Sequence, residues 1–233
     1  QDMRASLMAV SLLGLAALGG RAEAAQDLDS PKADPAHHKV EFENDQVRVV
    51  RWRIPPHEKT ALHDHPALVS VLLTDADLKL TGQDGKVTAV KAKAGTAGWR
   101  GPTVHVAENV GDRPVEGILV EPKGPGNPAW TPPPNDATRL TPHDKVEFEN
   151  DRVRIIRYVY GKGESSPMHD HPAGVQIPLT DSHARQTTPD GKTSELSGKA
   201  GTARYRPPLS HAITNLGERF EGLIVDLKGA PAR

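Results

Sequence analysis

His63-Asp64-His65-Pro66-Ala67 returns, letter for letter, as His169-Asp170-His171-Pro172-Ala173. This is part of a longer return. Residues 39–113 lie without a gap on residues 145–219 at a constant offset of 106, and 35 of those 75 positions are identical. Agreement over that length means two copies of one structural unit. KVEFEND (39–45, 145–151) and KAGTA (93–97, 199–203) repeat whole, and the pair His105, Asn109 returns as His211, Asn215. Each copy therefore keeps three histidines at the same spacing, and the unit carries a candidate site as well as a fold.

Working outward from these blocks, the pattern is one of short strands. VRVVRWRI (47–54) and VRIIRYVY (153–160) are rich in β-branched and aromatic residues with arginine interleaved. Asp84-Gly85 and Asp190-Gly191 stand where a two-residue hairpin turn belongs. VEGILVE (115–121) and FEGLIVDL (220–227) close each copy as an apolar strand. The 21 glycines and 21 prolines suit many strands joined by tight turns. The expected fold is all-β, a sandwich or barrel in each copy.

A chain of 233 residues accommodates two units of this size. Arg4, the apolar run from Ala5 to Leu18 and the small residues Ala22-Glu23-Ala24 have the layout of a cleavable signal peptide over residues 1–25, which predicts a periplasmic or secreted protein with no membrane association once cleaved. Residues 26–38 are expected to be a polar tether, 39–124 the N-terminal unit, 125–142 a proline-rich extended linker and 143–233 the C-terminal unit. A net charge of −1 gives no footprint for nucleic acid. With no cysteine, disulfides, thiolate metal sites and cysteine nucleophiles are excluded, so any metal is held by His, Gln, carboxylate or water.

On a strand, His63 and His65 project to one face and Asp64 to the other. Two imidazoles side by side can share one ion with a third ligand, and His105 is the only histidine further along this copy. His169, His171 and His211 repeat the set. Neutral imidazole suits Zn, Cu, Fe, Ni and related divalent ions.

These motifs resemble those of the cupin superfamily. In copy two the first motif is matched by Gly163 and His169-Asp170-His171, the second by Gly201, His211 and Asn215; copy one supplies His63, His65, Gly95, His105 and Asn109. The resemblance covers nearly all of the chain after the leader. It implies a bicupin, two tandem jelly-roll β-barrels, with a metal in the mouth of each. It also implies a divalent ion (Fe, Mn, Zn, Ni or Cu) held by His63, His65 and His105 in one barrel and by His169, His171 and His211 in the other.

The chain departs from the family pattern at the fourth ligand. The expected Glu is Ser70 in copy one and Gln176 in copy two, and His57 replaces the glycine that copy two keeps at Gly163. Gln176 offers a carbonyl oxygen to the metal and Ser70 offers a poor ligand, so copy two is expected to bind the ion more tightly. Trp99 and Tyr205 are expected in the core rather than in a pocket wall. Arg100 and Arg206 are candidate clamps for a substrate carboxylate, and Asn109 and Asn215 should fix backbone geometry. His37, His38, His57, His143 and His183 are expected at the surface. The resemblance points to an exported metal-binding protein, a dioxygenase-like oxidoreductase acting on a small organic molecule, with a homo-oligomer as a further expectation. The alternative is a non-enzymatic protein that binds a small molecule or a metal.

Overall fold

Along Val47–Ile54, Val47, Val49 and Arg51 face one way, and Arg48, Val50, Trp52 and Ile54 the other. Both faces are buried in the computed structural model, which describes residues 27–229. The expected leader lies outside those residues. In copy one a helical turn, α1 (Ser30–Ala33), precedes β1 (His38–Glu43), β2 (Val47–Ile54), β3 (His63–His65), β4 (Leu68–Leu72), β5 (Ala76–Gly82), β6 (Val87–Ala92), β7 (Ala97–Arg100), β8 (Thr103–Asn109) and β9 (Val115–Pro122). Copy two has α2 (Ala137–Leu140), β10 (Asp144–Glu149), β11 (Val153–Tyr160), β12 (His169–His171), β13 (Gly174–Pro178), β14 (Ser182–Thr187), β15 (Thr193–Gly198), β16 (Arg204–Arg206), β17 (Leu209–Asn215) and β18 (Phe220–Leu227).

Each copy is a jelly-roll barrel of two antiparallel sheets. In copy one these are β1-β2-β9-β4-β7 and β3-β8-β5-β6; in copy two, β10-β11-β18-β13-β16 and β12-β17-β14-β15. The inward faces of the sheets make two separate cores, around Val50, Ile54 and Leu119 in the first barrel and Ile156, Tyr158 and Ile224 in the second. The outward faces of the two five-stranded sheets make a third. Val49, Val71 and Ile118 pack with Ile155, Ile177 and Val225 in one fully buried cluster that joins the barrels. Arginines clamp its rim reciprocally: Arg51 Nη2 donates to Gly201 O at 2.6 Å and Arg157 Nη2 to Gly95 O at 2.7 Å. Gly95 and Gly201 have φ of 81° and 74°, and a Cβ on either would lie 3.3 Å from a leucine of the opposite barrel, so the repeated KAGTA turn requires glycine.

Three local expectations change. The segment read as a tether and the end of the segment read as an extended linker are part of the barrels. Asp64 N donates to Leu28 O at 2.7 Å and Asp170 N to Asn135 O at 2.8 Å, so each lies against a histidine strand. Each also supplies a carboxylate to an inward arginine. Arg48 pairs with Asp29 and Glu121, and the deeply buried Arg154 pairs with Asp136 and Asp226. Trp130 lies beneath Arg154 and Lys228, with the charged groups 5.0 and 4.7 Å from its ring. The Asp-Gly turns are longer than two residues: Gly82 N donates to Lys86 O at 2.9 Å, leaving Gln83-Asp84-Gly85 as the tip, with Gly85 at φ 79°. Among the described residues no helix is long and apolar enough to cross a membrane.

Because one core is shared, the barrels should unfold together. Ile177→Ala, at a fully buried position between them, should cost about 2–5 kcal/mol and move a single denaturant transition seen by both near- and far-UV dichroism. Two separated transitions, one unmoved, would contradict the shared core.

Candidate metal centres

Strand pairing assembles the histidines. β3 lies antiparallel to β8 with His63 opposite His105, and β12 to β17 with His169 opposite His211. In the second barrel the ligand atoms of His169, His171 and His211 lie within 4.8 Å of one another, and all three rings are buried. In the first barrel the group meeting that spacing is His38, His63 and His65. The His105 ring lies beside it, centred 4.8 Å from His63 and 5.4 Å from His65, much as His211 lies 4.8 and 5.2 Å from His169 and His171.

Backbone contacts decide which nitrogen is free. Nδ1 of His63 faces Ala61 O and Nδ1 of His169 faces Pro167 O, both at 2.8 Å. A carbonyl only accepts, so each Nδ1 carries the proton and each Nε2 keeps its lone pair. His211 Nδ1 faces Gln186 Oε1 at 3.0 Å, with the same result. Nε2 of His169 and of His171 then stand 3.0 Å apart. His169 Nε2 can only accept there, so the contact holds either a proton from His171 Nε2 or a shared cation, and the donor set fits a divalent ion.

Burial keeps these rings neutral. It pushes His63 and His105 down to about 4 and His38 and His211 to about 3, helped by neighbouring imidazoles. Burial also lowers His169 and His171; the Arg206 guanidinium adds to both shifts. The ligands thus need not lose a proton before accepting a metal at neutral pH.

His38, expected at the surface, is buried, with its ring 4.5 Å from His63 and 5.7 Å from His65. Of the other four, His57 and His183 are exposed, His37 pairs with Asp34 at 2.9 Å, and His143 is half-buried, stacked on Tyr160. The counterpart of His38 in the second barrel is Asp144. It is buried, accepts from Tyr160 Oη at 3.1 Å and lines the cavity of His169, His171 and His211; burial pushes its carboxyl up to about 6. Both positions lie one residue ahead of the identical block that begins at Lys39 and Lys145. Extending that offset by one position pairs them.

Gln176 lies in the second cavity, but its Oε1 accepts from Arg204 Nε and Nη2 at 3.0 and 2.7 Å, and its Nε2 lies 3.2 Å from Tyr158 Oη. The carbonyl on which tighter binding by copy two was expected is already engaged. Ser70 lines the first cavity. Arg100 is exposed at the first cavity's rim, whereas Arg206 is buried beside the second, 3.9 Å from Asp226. Trp99 and Tyr205 pack on the core between the barrels, and Tyr205 also lines the second cavity. Asn109 Nδ2 donates to Ile54 O, Pro55 O and Arg113 O, and Asn215 Nδ2 to Tyr160 O, Gly161 O and Glu218 O, so both fix backbone.

The two cavities are similar in size and different in lining. The first, about 280 Å³, is walled by apolar groups such as Trp52, Leu72, Leu78 and Val90. The second, about 290 Å³, presents Asp144, Tyr158, Gln176, Gln186, Arg204 and Arg206.

The lowered histidine pKa values fix a sign. As pH falls, the unfolded chain, with imidazoles near 6.5, takes up protons before the folded one, so each depressed histidine subtracts stability between about pH 6.5 and 4 and nothing above that window. Ring resonances of His63 and His105 in metal-free protein should titrate near pH 4. Midpoints near 6.5 would show rings open to solvent.

No sequence-family model matches the chain, and no curated protein matches it. Solved structures do. The formate complex of Lactobacillus farciminis oxalate decarboxylase has a TM-score of 0.55 at 14% identity, covering 84% of this chain and 85% of that one. A Bacillus subtilis oxalate decarboxylase variant also reaches 0.55 at 14%, covering 85% and 77%. Salicylate 1,2-dioxygenase from Pseudoaminobacter salicylatoxidans, with gentisate, reaches 0.52 at 10%, covering 78% and 68%. At such identities the likeness is one of fold, and it extends through both barrels together. The chain shares with these proteins a fold of two jelly-roll barrels in tandem.

Proposed function

We propose that this protein is an exported, metal-dependent bicupin, a dioxygenase-like oxidoreductase that acts on a small organic molecule. The observation that carries the reading is the pair of buried histidine groups, each lining its own cavity, with the Nε2 lone pairs of His63, His169 and His211 left free by Nδ1 contacts or by Gln186. Similar folds support it: the Bacillus subtilis oxalate decarboxylase has Mn(II) centres, and the salicylate 1,2-dioxygenase was solved with gentisate. A bound divalent ion would supply Lewis acidity and, as iron or manganese, a one-electron couple.

The chain's own groups divide the remaining work. His169, His171 and His211 would hold the ion in the second barrel, with Gln186 fixing the His211 ring. Arg206 and Arg204 give that cavity positive charge. Asp144, pushed up to about 6 and lining the same cavity, can hold or release a proton near neutral pH. The first cavity has a mainly apolar wall and no carboxylate lining it. Turnover therefore belongs to the second barrel.

Protein isolated from its native compartment should carry a transition metal, and Fe(II)-loaded protein should change its visible spectrum with O₂ and with small chelating ligands. His169→Ala with His171→Ala should abolish that change. Metal-free protein that takes up no ion would leave a non-enzymatic binding protein. Export predicts a mature N-terminus near Gln26; an intact leader on cytosolic protein would overturn it.

A further inference from the structure

We propose that His38 is a fourth protein ligand of the first barrel, so that His38, His63, His65 and His105 form a four-histidine centre for a nitrogen-preferring divalent ion of the zinc, copper or nickel class. The proposal rests on the metal-dependent reading and adds to it a ligand, an ion class and an order of affinity.

His38 opens β1 and is held there by its own backbone: its N–H donates to Asp34 O at 3.0 Å, directly after the α1 turn. The side chain is buried, and Nδ1 has no hydrogen-bond partner; the nearest carboxylate oxygen, Asp34 Oδ2, stands 3.8 Å away. A buried polar atom without a partner is destabilising. The ring is nevertheless packed against His63 and His65, where its ligand atom shares a 4.8 Å group with theirs. A shared cation is what brings three buried imidazoles into one such group. His38 and Ser70 line the same cavity, so an imidazole from β1 is present where the Ser70 position offers a poor ligand.

The carboxylates and arginines around the two histidine groups differ. Glu121 Oε1 lies 3.9 Å from His65 Nδ1, and neither atom has a partner. With a cation on the far nitrogen, His65 would present its Nδ1 proton toward that carboxylate, an arrangement that strengthens a metal-bound imidazole. In the second barrel the residue matching Glu121 is Asp226; each accepts from the inward arginine of its own barrel, Arg48 or Arg154, but Asp226 also has the buried Arg206 3.9 Å away, whereas the matching Arg100 is exposed. The residue matching His38 is Asp144, which accepts from Tyr160. The first barrel should therefore bind metal more tightly, the reverse of what Gln176 suggested. Four neutral nitrogen ligands favour zinc, copper and nickel over magnesium, calcium and manganese.

The test uses the metal-free full chain, titrated with Zn(II) by calorimetry and with Co(II) by visible absorption, which reports coordination number. Wild type should show a tighter and a weaker event. His38→Asp and the size-conserving His38→Gln should weaken the tighter event by about 10–100-fold or more and change the cobalt spectrum. Asp144→His should strengthen the weaker event, and this arm decides even if a His38 variant fails to fold by circular dichroism. A tighter event and cobalt spectrum unchanged in the His38 variants would overturn the proposal and leave the metal reading standing, as would a weaker event unmoved by Asp144→His. Absence of zinc and cobalt binding in wild type would overturn both.

Discussion

A nitrogen lone pair buried against other lone pairs has to be shared with something positive. In the second barrel His169 Nε2 and His171 Nε2 stand 3.0 Å apart under that constraint, and three buried imidazoles converge in the first barrel as well. The carbonyls of Ala61 and Pro167 fix Nδ1 as the protonated nitrogen of His63 and His169 and so aim Nε2 at the neighbouring rings. The strand pairs β3–β8 and β12–β17 bring the third ring opposite the first. Burial then holds the rings neutral well below neutral pH, which is the state a metal requires.

The outward side obeys a different demand. Two five-stranded sheets that each bury both faces need a partner, and each barrel serves as partner to the other through a core of valine, isoleucine and leucine. The arginines interleaved in β2 and β11 follow from it. Arg51 and Arg157 point outward and clamp the opposite barrel at a glycine carbonyl; Arg48 and Arg154 point inward and tie the preceding segments to the barrel floor. One strand thus links the interface between barrels to the base of each histidine group. The duplication has kept this frame while the cavities diverged, one apolar and one lined by charged and polar groups.

The frame was legible because period-two alternation and identity between copies both report packing, and packing is what the copies share. The repeated histidines were legible for the same reason. His38 and Asp144 were not, since a block defined by identity stops where the copies differ, and here it stops one residue short of the position that distinguishes the sites. The engagement of Gln176 by Arg204 was not legible, because that contact is set by the pairing of β13 with β16 and not by nearness in sequence. The turns α1 and α2 are four residues each, too short for helical periodicity to register, and their place is set by Asp29 and Asp136 reaching buried arginines.

The central claim is that these histidines converge on ions, and on one in the first barrel above all. Anomalous X-ray scattering above and below the zinc edge, from crystals of the zinc-loaded full chain, tests it most directly. The account predicts a strong zinc peak among His38, His63, His65 and His105, and a weaker one among His169, His171 and His211. Zinc absent from both groups, or a first-barrel peak with the His38 ring turned away from it, would contradict it.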